Sequence, residues 1–276
     1  MSGYDADAFD AYEVHGWAAK DVARYDDVAG RVTSQVADRL LDAVGAAPGT
    51  RLLDVATGPG YVAARAAERG ADVVGVDFSE AMLTFARERH PTIEFRYADA
   101  TALPFADGSF DGVVAAFVLL HLGRPERAAA EAMRVVVPGG RVALSVWDFP
   151  SRGRWLGVLL DALAEAGAAP PADIPPGPPL FEYADEAEFT ALLEGAGAAD
   201  VEVDTLELSL RVEDENELWD GLIDGTVRVG PLVRSQGERL QREIRARFDE
   251  LLGEFRVDDG FDVPVAVKLA SGRREA

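Results

Sequence analysis

The run from Leu52 to Gly60, LLDVATGPG, constrains this chain more than any other stretch of its sequence. It is a short apolar strand that carries one acidic residue, Asp54, and then breaks into a turn with Gly58 and Gly60. Glycine has no Cβ atom, so a ligand can lie against such a turn and the backbone there can adopt a positive φ. Residues 61–69 are typical of a helix whose N-terminal amides point back to the same place. The sequence therefore predicts a small-molecule site at the C-terminal end of a strand in an α/β sheet.

Two nucleotide-like cofactors use such a turn, and one acidic residue distinguishes them. Gly58, Gly60 and Ala63 nearly match the G-x-G-x-x-A pattern of dinucleotide sites, and Asp77 stands about where a ribose-binding acid belongs. Asp54, however, would face the pyrophosphate of a dinucleotide, and like charges repel. S-adenosylmethionine has a sulfonium, an ammonium and no phosphate, so the same carboxylate would attract it. The turn favours S-adenosylmethionine, with a nicotinamide dinucleotide as the alternative.

A second apolar strand, residues 72–77, ends in Asp77. A carboxylate at this place can accept two hydrogen bonds from a ribose diol. Phe78 and Met82 follow and are placed to flank a purine. We therefore predict that these three residues bind the nucleoside part of the cofactor.

Two more strands are predicted at residues 93–98 and 110–117. The first is closed by Asp99 and Ala100, and the Asp99 carboxylate could accept a hydrogen bond from an adenine amino group. The second is followed by the segment Leu119-Leu120-His121-Leu122, and a fifth strand covers residues 141–147. Strands that alternate with helices in this way predict a parallel sheet with right-handed crossovers.

Taken together, these segments resemble the class I S-adenosylmethionine-dependent methyltransferases, in the branch close to the ubiquinone and menaquinone biosynthesis enzymes. The resemblance covers residues 50–150, in the order and spacing of that family. The matching segments are LLDVATGPGYVA, VVGVDFSEAML, YADATALPF, FDGVVAAFVLLHL and MRVVVPGGRVALSVWD. The resemblance implies a Rossmann-like α/β fold: a seven-stranded, mostly parallel sheet with helices on both faces and a helical cap. It also implies S-adenosylmethionine as cofactor, with S-adenosylhomocysteine as product.

The chain divides into four expected parts. Residues 1–48 are predicted to form an N-terminal helical lid, and residues 49–150 the cofactor-binding core. Residues 151–183 are rich in proline toward their end, which prevents a regular element and indicates a linker or cap segment. Residues 184–276 complete the core. About fifty residues separate the two strands of its closing hairpin, so a helical cap is predicted at about 214–258.

Composition excludes several classes of function. The 276 residues are 48% hydrophobic, contain no cysteine and carry a net charge of −22. Nucleic acids and anionic membrane surfaces would be repelled, and thiolate or zinc-thiolate chemistry is excluded. No apolar run approaches the ~20 residues that span a bilayer, and the acidic N-terminus lacks the apolar core of a secretion signal. We expect a cytoplasmic protein that binds a small molecule, no nucleic acid and no membrane, and that could form a homodimer.

The best candidate for a catalytic base is His121. Methyl transfer is an in-line displacement with a neutral leaving group, so only the acceptor needs help with a proton. His121 follows the fourth strand, where cofactor and substrate are expected to meet, and His15 lies in the N-terminal segment that this family folds over the site. Either histidine could instead have a structural or surface role. The three histidines are far apart, so no metal site is predicted.

Further contacts are predicted from the resemblance to this family and from position in the chain. By analogy with relatives, Tyr25 is expected to cover the methionine end of the cofactor, or else to pack in the core. Ala116 and Phe117 are expected to offer backbone atoms to the cofactor, and Ala56 is a further predicted cofactor contact. Arg228 could bind a charged substrate group or remain a solvated surface residue. Aromatic side chains are candidates to line an apolar substrate pocket; they are Tyr12, Trp17, Phe149, Trp155, Phe181 and Trp219.

The predicted function is S-adenosylmethionine-dependent methylation of a small-molecule metabolite at oxygen, nitrogen or carbon. The ring-methylating quinone enzymes of the family lack so long an insertion before the last strand, which favours natural-product metabolism over a quinone substrate. One alternative is a protein that keeps the cofactor fold but only binds the cofactor or catalyses another reaction. A nicotinamide-dependent oxidoreductase is the other alternative, disfavoured by Asp54 and by the match beyond the second strand.

Overall fold

A computed structural model describes residues 3–171 and 174–275. At its centre lies an eight-stranded sheet with the strand order β3-β2-β1-β4-β5-β8-β6, in which the short β7 pairs with β8. The strands are β1 (Arg51–Val55), β2 (Asp72–Asp77), β3 (Glu94–Tyr97), β4 (Phe110–Ala116), β5 (Val136–Trp147), β6 (Ala198–Val212), β7 (Arg256–Val257) and β8 (Gly260–Arg274).

The first five strands are parallel, and β8 is inserted antiparallel between β5 and β6. At the centre of the sheet Leu53 of β1 is paired with Val74 of β2 on one side and with Val113 of β4 on the other. Seven strands, the number predicted from the sequence, form the main path of the sheet, and β7 adds two residues beside β8. The predicted class, a mostly parallel Rossmann-like α/β fold, is confirmed.

Helices cover both faces of the sheet and one end of it. They are α1 (Ala6–Ala18), α2 (Val22–Tyr25), α3 (Arg31–Thr33), α4 (Ala37–Ala43), α5 (Tyr61–Glu68), α6 (Glu80–Arg89), α7 (Pro125–Val135), α8 (Arg154–Glu165), α9 (Glu186–Gly195), α10 (Glu215–Gly225), α11 (Val229–Arg234) and α12 (Glu238–Leu252). A π-helical stretch, Asp26–Gly30, joins α2 to α3, and a 3-10 turn, Leu119–His121, follows β4. The helices α10–α12 fill the segment between β6 and β8 for which a cap was predicted.

The helix boundaries follow local chemistry. Asp5 caps α1 by accepting hydrogen bonds from the backbone amides of Asp7 and Ala8, both at 3.1 Å, and Asp214 caps α10 in the same way. Gly230 and Pro231 lie in the first turn of α11. A proline costs little there, because the first amides of a helix have no partner within the helix. The helical segment 215–252 is interrupted on either side of α11.

The cap is continuous with the core on one face of the sheet. Leu218 and Leu222 of α10 and Phe248 of α12 are buried in the same apolar cluster as Val158 and Leu159 of α8. The opposite face is covered by α7 and α9, whose buried side chains form a second cluster with the strands. Burial of apolar surface contributes roughly 25 cal/mol per Å², so the cap is held to the core by hydrophobic packing.

No helix within the described ranges is long and apolar enough to cross a lipid bilayer.

Candidate active site

The turn after β1 is held together by Asp54. Its carboxylate is 1% exposed and accepts hydrogen bonds from Thr57 Oγ1 at 2.6 Å and from the backbone amide of Ala63 at 3.0 Å. Burial raises the pKa of Asp54 to about 7, although both hydrogen bonds oppose that shift. Asp54 does not line the cavity described below. Its carboxylate joins the end of β1 to the start of α5 instead of facing a ligand.

Asp77, at the end of β2, connects the same turn to the neighbouring strand. Its Oδ2 atom accepts from the amide of Gly58 at 2.9 Å, and its Oδ1 atom accepts from the amide of Ser79 at 2.8 Å. Each carboxylate oxygen has a second acceptor position that these bonds leave free. Burial raises the pKa of Asp77 to about 6. Asp77 lines the cavity, so it can accept hydrogen bonds from a ligand there.

Backbone at positive φ shapes the floor of the site. Gly58 has a φ of 53° and Gly60 one of 87°, as expected for the turn, and two non-glycine residues, Ala56 and Phe117, have φ values of 55° and 56°. Residues with side chains adopt this region only at a cost, and such strain is often stored at binding sites. A Cβ atom on Gly60 would lie 3.0 Å from the Phe95 ring, whereas one on Gly58 would meet no atom within 4 Å.

A cavity opens at the C-terminal edge of the parallel strands. The open space between its walls, part of which is bulk solvent, is about 960 Å³. Most of the lining is apolar. Besides Asp77, the lining residues that bear on the site are Trp17, Tyr25, Thr33, Ala56, Gly58, Phe78, Ser79, Met82, Phe117, Leu120, His121, Trp147, Trp155, Leu180, Val227 and Arg228.

The structure brings most of the predicted cofactor residues to this cavity. Tyr25, Ala56, Gly58, Asp77, Phe78, Met82 and Phe117 line it, whereas Asp54, Gly60, Asp99 and Ala100 do not. The Asp99 side chain is exposed and accepts hydrogen bonds from the amide and the hydroxyl of Thr101, at 2.7 and 2.8 Å. Its strand nevertheless ends beside β2, because the Ala98 amide donates to the Asp77 carbonyl at 3.0 Å. An adenine contact by Asp99 stays a prediction.

Three segments outside the sheet close over the cavity. The N-terminal helices contribute Trp17 and Tyr25, whose rings meet edge to face with centroids 5.6 Å apart. The segment that precedes α9 contributes Leu180, and the connection between α10 and α11 contributes Val227 and Arg228. In this way residues far apart in the chain form one wall.

His121 lies in the cavity wall and is bound to a buried carboxylate. Its Nδ1 atom is 2.9 Å from Oε2 of Glu13, which belongs to α1 and is 1% exposed. The Trp17 ring lies edge to face with the imidazole, with ring centroids 5.1 Å apart. An ionised carboxylate can only accept, so this contact favours the tautomer with its proton on Nδ1 and leaves Nε2 able to take a proton.

The structure does not bring His15 to this cavity. His15 is exposed on α1 and lines a second cavity, together with Tyr12 and Lys20. Glu13 and Trp17 are four residues apart and therefore share the inward face of α1. Residue 15 lies on a different face of the helix. The Tyr12 hydroxyl donates to the Val227 carbonyl at 2.9 Å, which joins α1 to the cap.

Only part of the predicted aromatic lining reaches the cavity. Trp17 and Trp155 line it, whereas Phe149 is 43% exposed elsewhere and Phe181 packs against the core near it. Trp219 lies in α10 with its ring 5.2 Å from that of Phe248, inside the cap. Trp147 was not predicted, yet it stacks on Phe117 at 3.8 Å and lines the cavity.

Glu13 was not predicted from the sequence, and for Arg228 two alternatives were left open. The four-residue spacing of Glu13 and Trp17 on a helix is the sequence signal that could have identified Glu13. Arg228 was expected to be a solvated surface residue or a substrate contact, and the structure places it in the cavity wall. Within the described residues no group of three or more histidine, aspartate or glutamate side chains could hold a metal ion.

The residues of the cavity fit S-adenosylmethionine. Asp77 offers free acceptor positions for a ribose diol, and Phe78 and Met82 lie beside it as apolar contacts for a purine ring. Gly58 leaves open space where any side chain would begin. The Asp77 carboxylate would oppose the pyrophosphate of a dinucleotide by like-charge repulsion.

Comparison with known proteins agrees with this geometry. A family profile described as "Methyltransferase domain" matches residues 53–144. The demethylmenaquinone methyltransferase of Renibacterium salmoninarum is 43% identical over 151 residues, which are 53% of this chain and 64% of that protein. The corresponding enzyme of Beutenbergia cavernae is 38% identical over 178 residues, which are 60% of this chain and 71% of that protein. The chain thus spans between three fifths and three quarters of the length of these relatives.

A solved structure shares the fold at much lower identity. The YcgJ protein of Bacillus subtilis superposes with a TM-score of 0.59 at 16% identity, over 88% of this chain and 99% of that one. A likeness of this kind concerns the arrangement of strands and helices alone. The sequence relatives are what identify the family. Since the match at 38% identity extends over most of a characterised relative, this chain belongs to the class I S-adenosylmethionine-dependent methyltransferases.

Proposed function

We propose that this protein transfers the methyl group of S-adenosylmethionine to a small-molecule acceptor, and that His121 is the general base of the reaction. One observation carries the proposal: Asp77 and His121 line the same cavity, under a wall of lid residues. A cofactor held by its ribose at Asp77 and an acceptor held at His121 would therefore share one enclosed space. Residues 1–48, 151–183 and 214–258 act as the lid in this proposal.

The cofactor and the protein residues have separate roles in this proposal. S-adenosylmethionine supplies an activated methyl group on a sulfonium. Asp77 and Gly58 hold the nucleoside end, and the apolar wall excludes water from the reacting atoms. His121 Nε2 takes the proton of the acceptor as its nucleophilic atom forms the new bond to the methyl carbon.

Glu13 acts as a positioning residue for this base. Its hydrogen bond to Nδ1 fixes the orientation and the tautomer of the imidazole, and its negative charge stabilises the imidazolium that forms when Nε2 is protonated. The Oε1 atom of Glu13 is buried without a hydrogen-bond partner among the described residues. Because such a group costs free energy, its retention in a buried place supports a role at the site.

The acceptor is proposed to be a metabolite of specialised metabolism, methylated at oxygen, nitrogen or carbon. The relatives named above act on demethylmenaquinone, so a quinol is the first acceptor to test. The long cap of α10–α12, which contributes Val227 and Arg228 to the cavity, supports an acceptor that differs from a simple quinol. A cytoplasmic location and a homodimer stay predictions from the sequence.

The first experiment measures cofactor binding by calorimetry with S-adenosylhomocysteine and with NAD. The wild-type protein should bind S-adenosylhomocysteine and not NAD. Asp77→Asn should weaken that binding about 10- to 100-fold, the loss expected for hydrogen bonds to a charged group. Asp72→Asn is the matched control, because Asp72 begins the same strand and is exposed. Equal affinity of Asp77→Asn and Asp72→Asn for S-adenosylhomocysteine would show that Asp77 does not bind the cofactor.

The second experiment measures transfer of a radiolabelled methyl group to a panel of quinols and hydroxylated aromatic compounds. Labelled product that disappears in His121→Asn, with binding of S-adenosylhomocysteine retained, would support the proposal. Cofactor binding without transfer to any acceptor would instead favour a protein that keeps the fold for binding or for another reaction.

A further inference from the structure

Arg228 is a partly buried cation in the wall of the proposed active site. It precedes α11 and lines the same cavity as His121. Its guanidinium lies over the Phe9 ring, 5.2 Å from the centroid. Burial lowers the pKa of Arg228, the direction expected when a charge leaves water. An arginine nevertheless keeps its charge in proteins, so a negatively charged group in the cavity would be stabilised beside it.

The hydrogen bonds of Arg228 use one side of its guanidinium only. Nη1 donates to the Pro178 carbonyl at 3.1 Å and to the Leu120 carbonyl at 3.4 Å. Across residues 3–171 and 174–275, Nε and Nη2 donate to no acceptor, and the guanidinium forms no ion pair with a carboxylate. The pair Nε–H and Nη2–H is the edge of arginine that binds a carboxylate with two parallel hydrogen bonds.

The buried cation Lys268 shows how a carboxylate and a hydroxyl compensate a positive charge in this protein. Lys268 is 4% exposed, and its Nζ atom donates to Glu186 Oε1 at 2.6 Å and to Thr205 Oγ1 at 2.7 Å. Arg228 has two neutral carbonyls in place of a carboxylate. The nearby groups that act on it electrostatically are Glu13, Tyr12 and Tyr4, and the Glu13 carboxylate is already bonded to His121.

We propose that Arg228 binds a carboxylate of the methyl acceptor through its free Nε and Nη2 edge, so that the enzyme selects acidic aromatic acceptors. The inference rests on the proposed function, because it assigns the chemical class of the acceptor at that same cavity. Leu120, whose carbonyl anchors Arg228, directly precedes His121. The acceptor carboxylate would therefore be held next to the base, with the apolar ring between Trp155 and Leu180.

S-adenosylmethionine also has a carboxylate, which is the other source of the same chemistry. The contacts of Arg228 favour the acceptor, because they are to Phe9, to Pro178 and to the residue before His121. None of them is to the glycine turn or to Asp77, which hold the cofactor in the proposal. The experiment below separates the two sources.

The test uses a matched pair of probes, 1-hydroxy-2-naphthoate and 1-naphthol, which differ only by a carboxylate. Their dissociation constants are measured with saturating S-adenosylhomocysteine, so that no turnover is needed. The wild-type protein should bind the naphthoate at least about tenfold more tightly, as expected for a charge-assisted pair. Arg228→Gln should lose that preference and still bind 1-naphthol, and Arg228→Lys should keep part of it. Arg239→Gln is the control, because Arg239 is 85% exposed on α12.

Two results would overturn the inference: equal binding of both probes by the wild-type protein, or a preference that survives in Arg228→Gln. A loss of S-adenosylhomocysteine affinity in Arg228→Gln, with the probe preference unchanged, would assign Arg228 to the cofactor instead. If Arg228→Gln does not fold, the wild-type and Arg228→Lys preferences still decide the question. Failure of the proposed function is seen separately, as absence of methyl transfer to either probe while the binding preference remains.

Discussion

Oε2 of Glu13 lies 2.9 Å from Nδ1 of His121, although 108 positions separate the two residues in the chain. The contact joins α1 to the turn after β4, and it is shielded by Trp17. A buried carboxylate bonded to an imidazole in a cavity wall suits the proposed role of His121 as general base. The pair exists only when the N-terminal helix is docked.

Glu13→Gln should lower kcat about tenfold or more while the KM for S-adenosylmethionine stays within about twofold. The glutamine keeps the shape of the side chain but removes the charge that stabilises the imidazolium.

His121→Asn should lower kcat by roughly 10²–10⁴, the usual contribution of a general base. Steady-state kinetics over a range of pH measure both effects, with Glu238→Gln, 94% exposed on α12, as control. Unchanged kcat in Glu13→Gln would show that the contact is structural only.

Gly58→Ala should weaken S-adenosylhomocysteine binding far more than it lowers stability. A Cβ atom there meets no protein atom within 4 Å, so the added methyl group enters the space reserved for the ligand. Gly45→Ala is a close match, because Gly45 also has a positive φ, 67° against 53°, with nothing within 4 Å. Both variants should lose about 1 kcal/mol of stability from backbone strain.

Calorimetric titration and thermal melting of this pair give the comparison. Only Gly58→Ala should lose affinity for the ligand. A loss of the same size in Gly45→Ala would point to a general effect of destabilisation and would contradict the assignment of the glycine turn.

Asp54 should make the ligand-free protein less stable as the pH rises. The folded-state pKa of about 7 lies above the ordinary value of 3.8, so between these values the folded state binds more protons than the unfolded state. Its contribution is therefore full below about pH 4 and is lost by about pH 7. Each unit of pKa difference corresponds to about 1.4 kcal/mol.

Urea unfolding of the wild-type protein and of Asp54→Asn across pH 4–8 checks this sign. The difference in unfolding free energy should move in favour of Asp54→Asn as the pH rises. Asp72→Asn, an exposed control at the start of β2, should follow the wild-type curve. Parallel curves for the wild type and Asp54→Asn would exclude a raised pKa at Asp54.

Gly16→Ala should loosen the docking of α1 on the cap. A Cβ atom on Gly16 would lie 2.3 Å from Cγ1 of Val227, which is too close for any real contact and must displace one of the two segments. Gly195→Ala is a helical glycine with nothing within 4 Å, and alanine there should be neutral or stabilising by about 0.5–1 kcal/mol. Limited proteolysis of the N-terminal segment and kcat report the difference. Equal behaviour of the two variants would show that α1 accommodates the methyl group.

The fold could be predicted because its signals are local and repeated. The glycine turn follows β1, Asp77 ends β2, and strands alternate with helices across residues 50–150. The two strands of the closing hairpin, β6 and β8, were also predicted, although they lie far apart in the sequence. Side-chain direction was harder to predict. Asp54 and Asp77 look equivalent in the sequence, yet Asp54 is bonded to Thr57 and Ala63 and only Asp77 lines the cavity.

The lid was the least predictable part of the site. A helix shows its periodicity in the sequence, but which face meets the cavity depends on packing against distant segments. Trp219 therefore joins the cap interior, whereas Trp17 and Arg228 reach the cavity. The spacing of Glu13 and Trp17 places both on one face of α1, but no local signal identifies His121, 108 positions away, as the partner of Glu13.

The position of β8 in the sheet has a consequence for biosynthesis. β6 is joined to the sheet through β8, which enters between it and β5. As the chain emerges from the ribosome, β1, β2 and β4 can assemble the glycine turn before residues 260–274 are made. β6 can then join the sheet only when β8 arrives. A nascent chain would thus complete the outer edge of its sheet last, after the strands that carry the glycine turn.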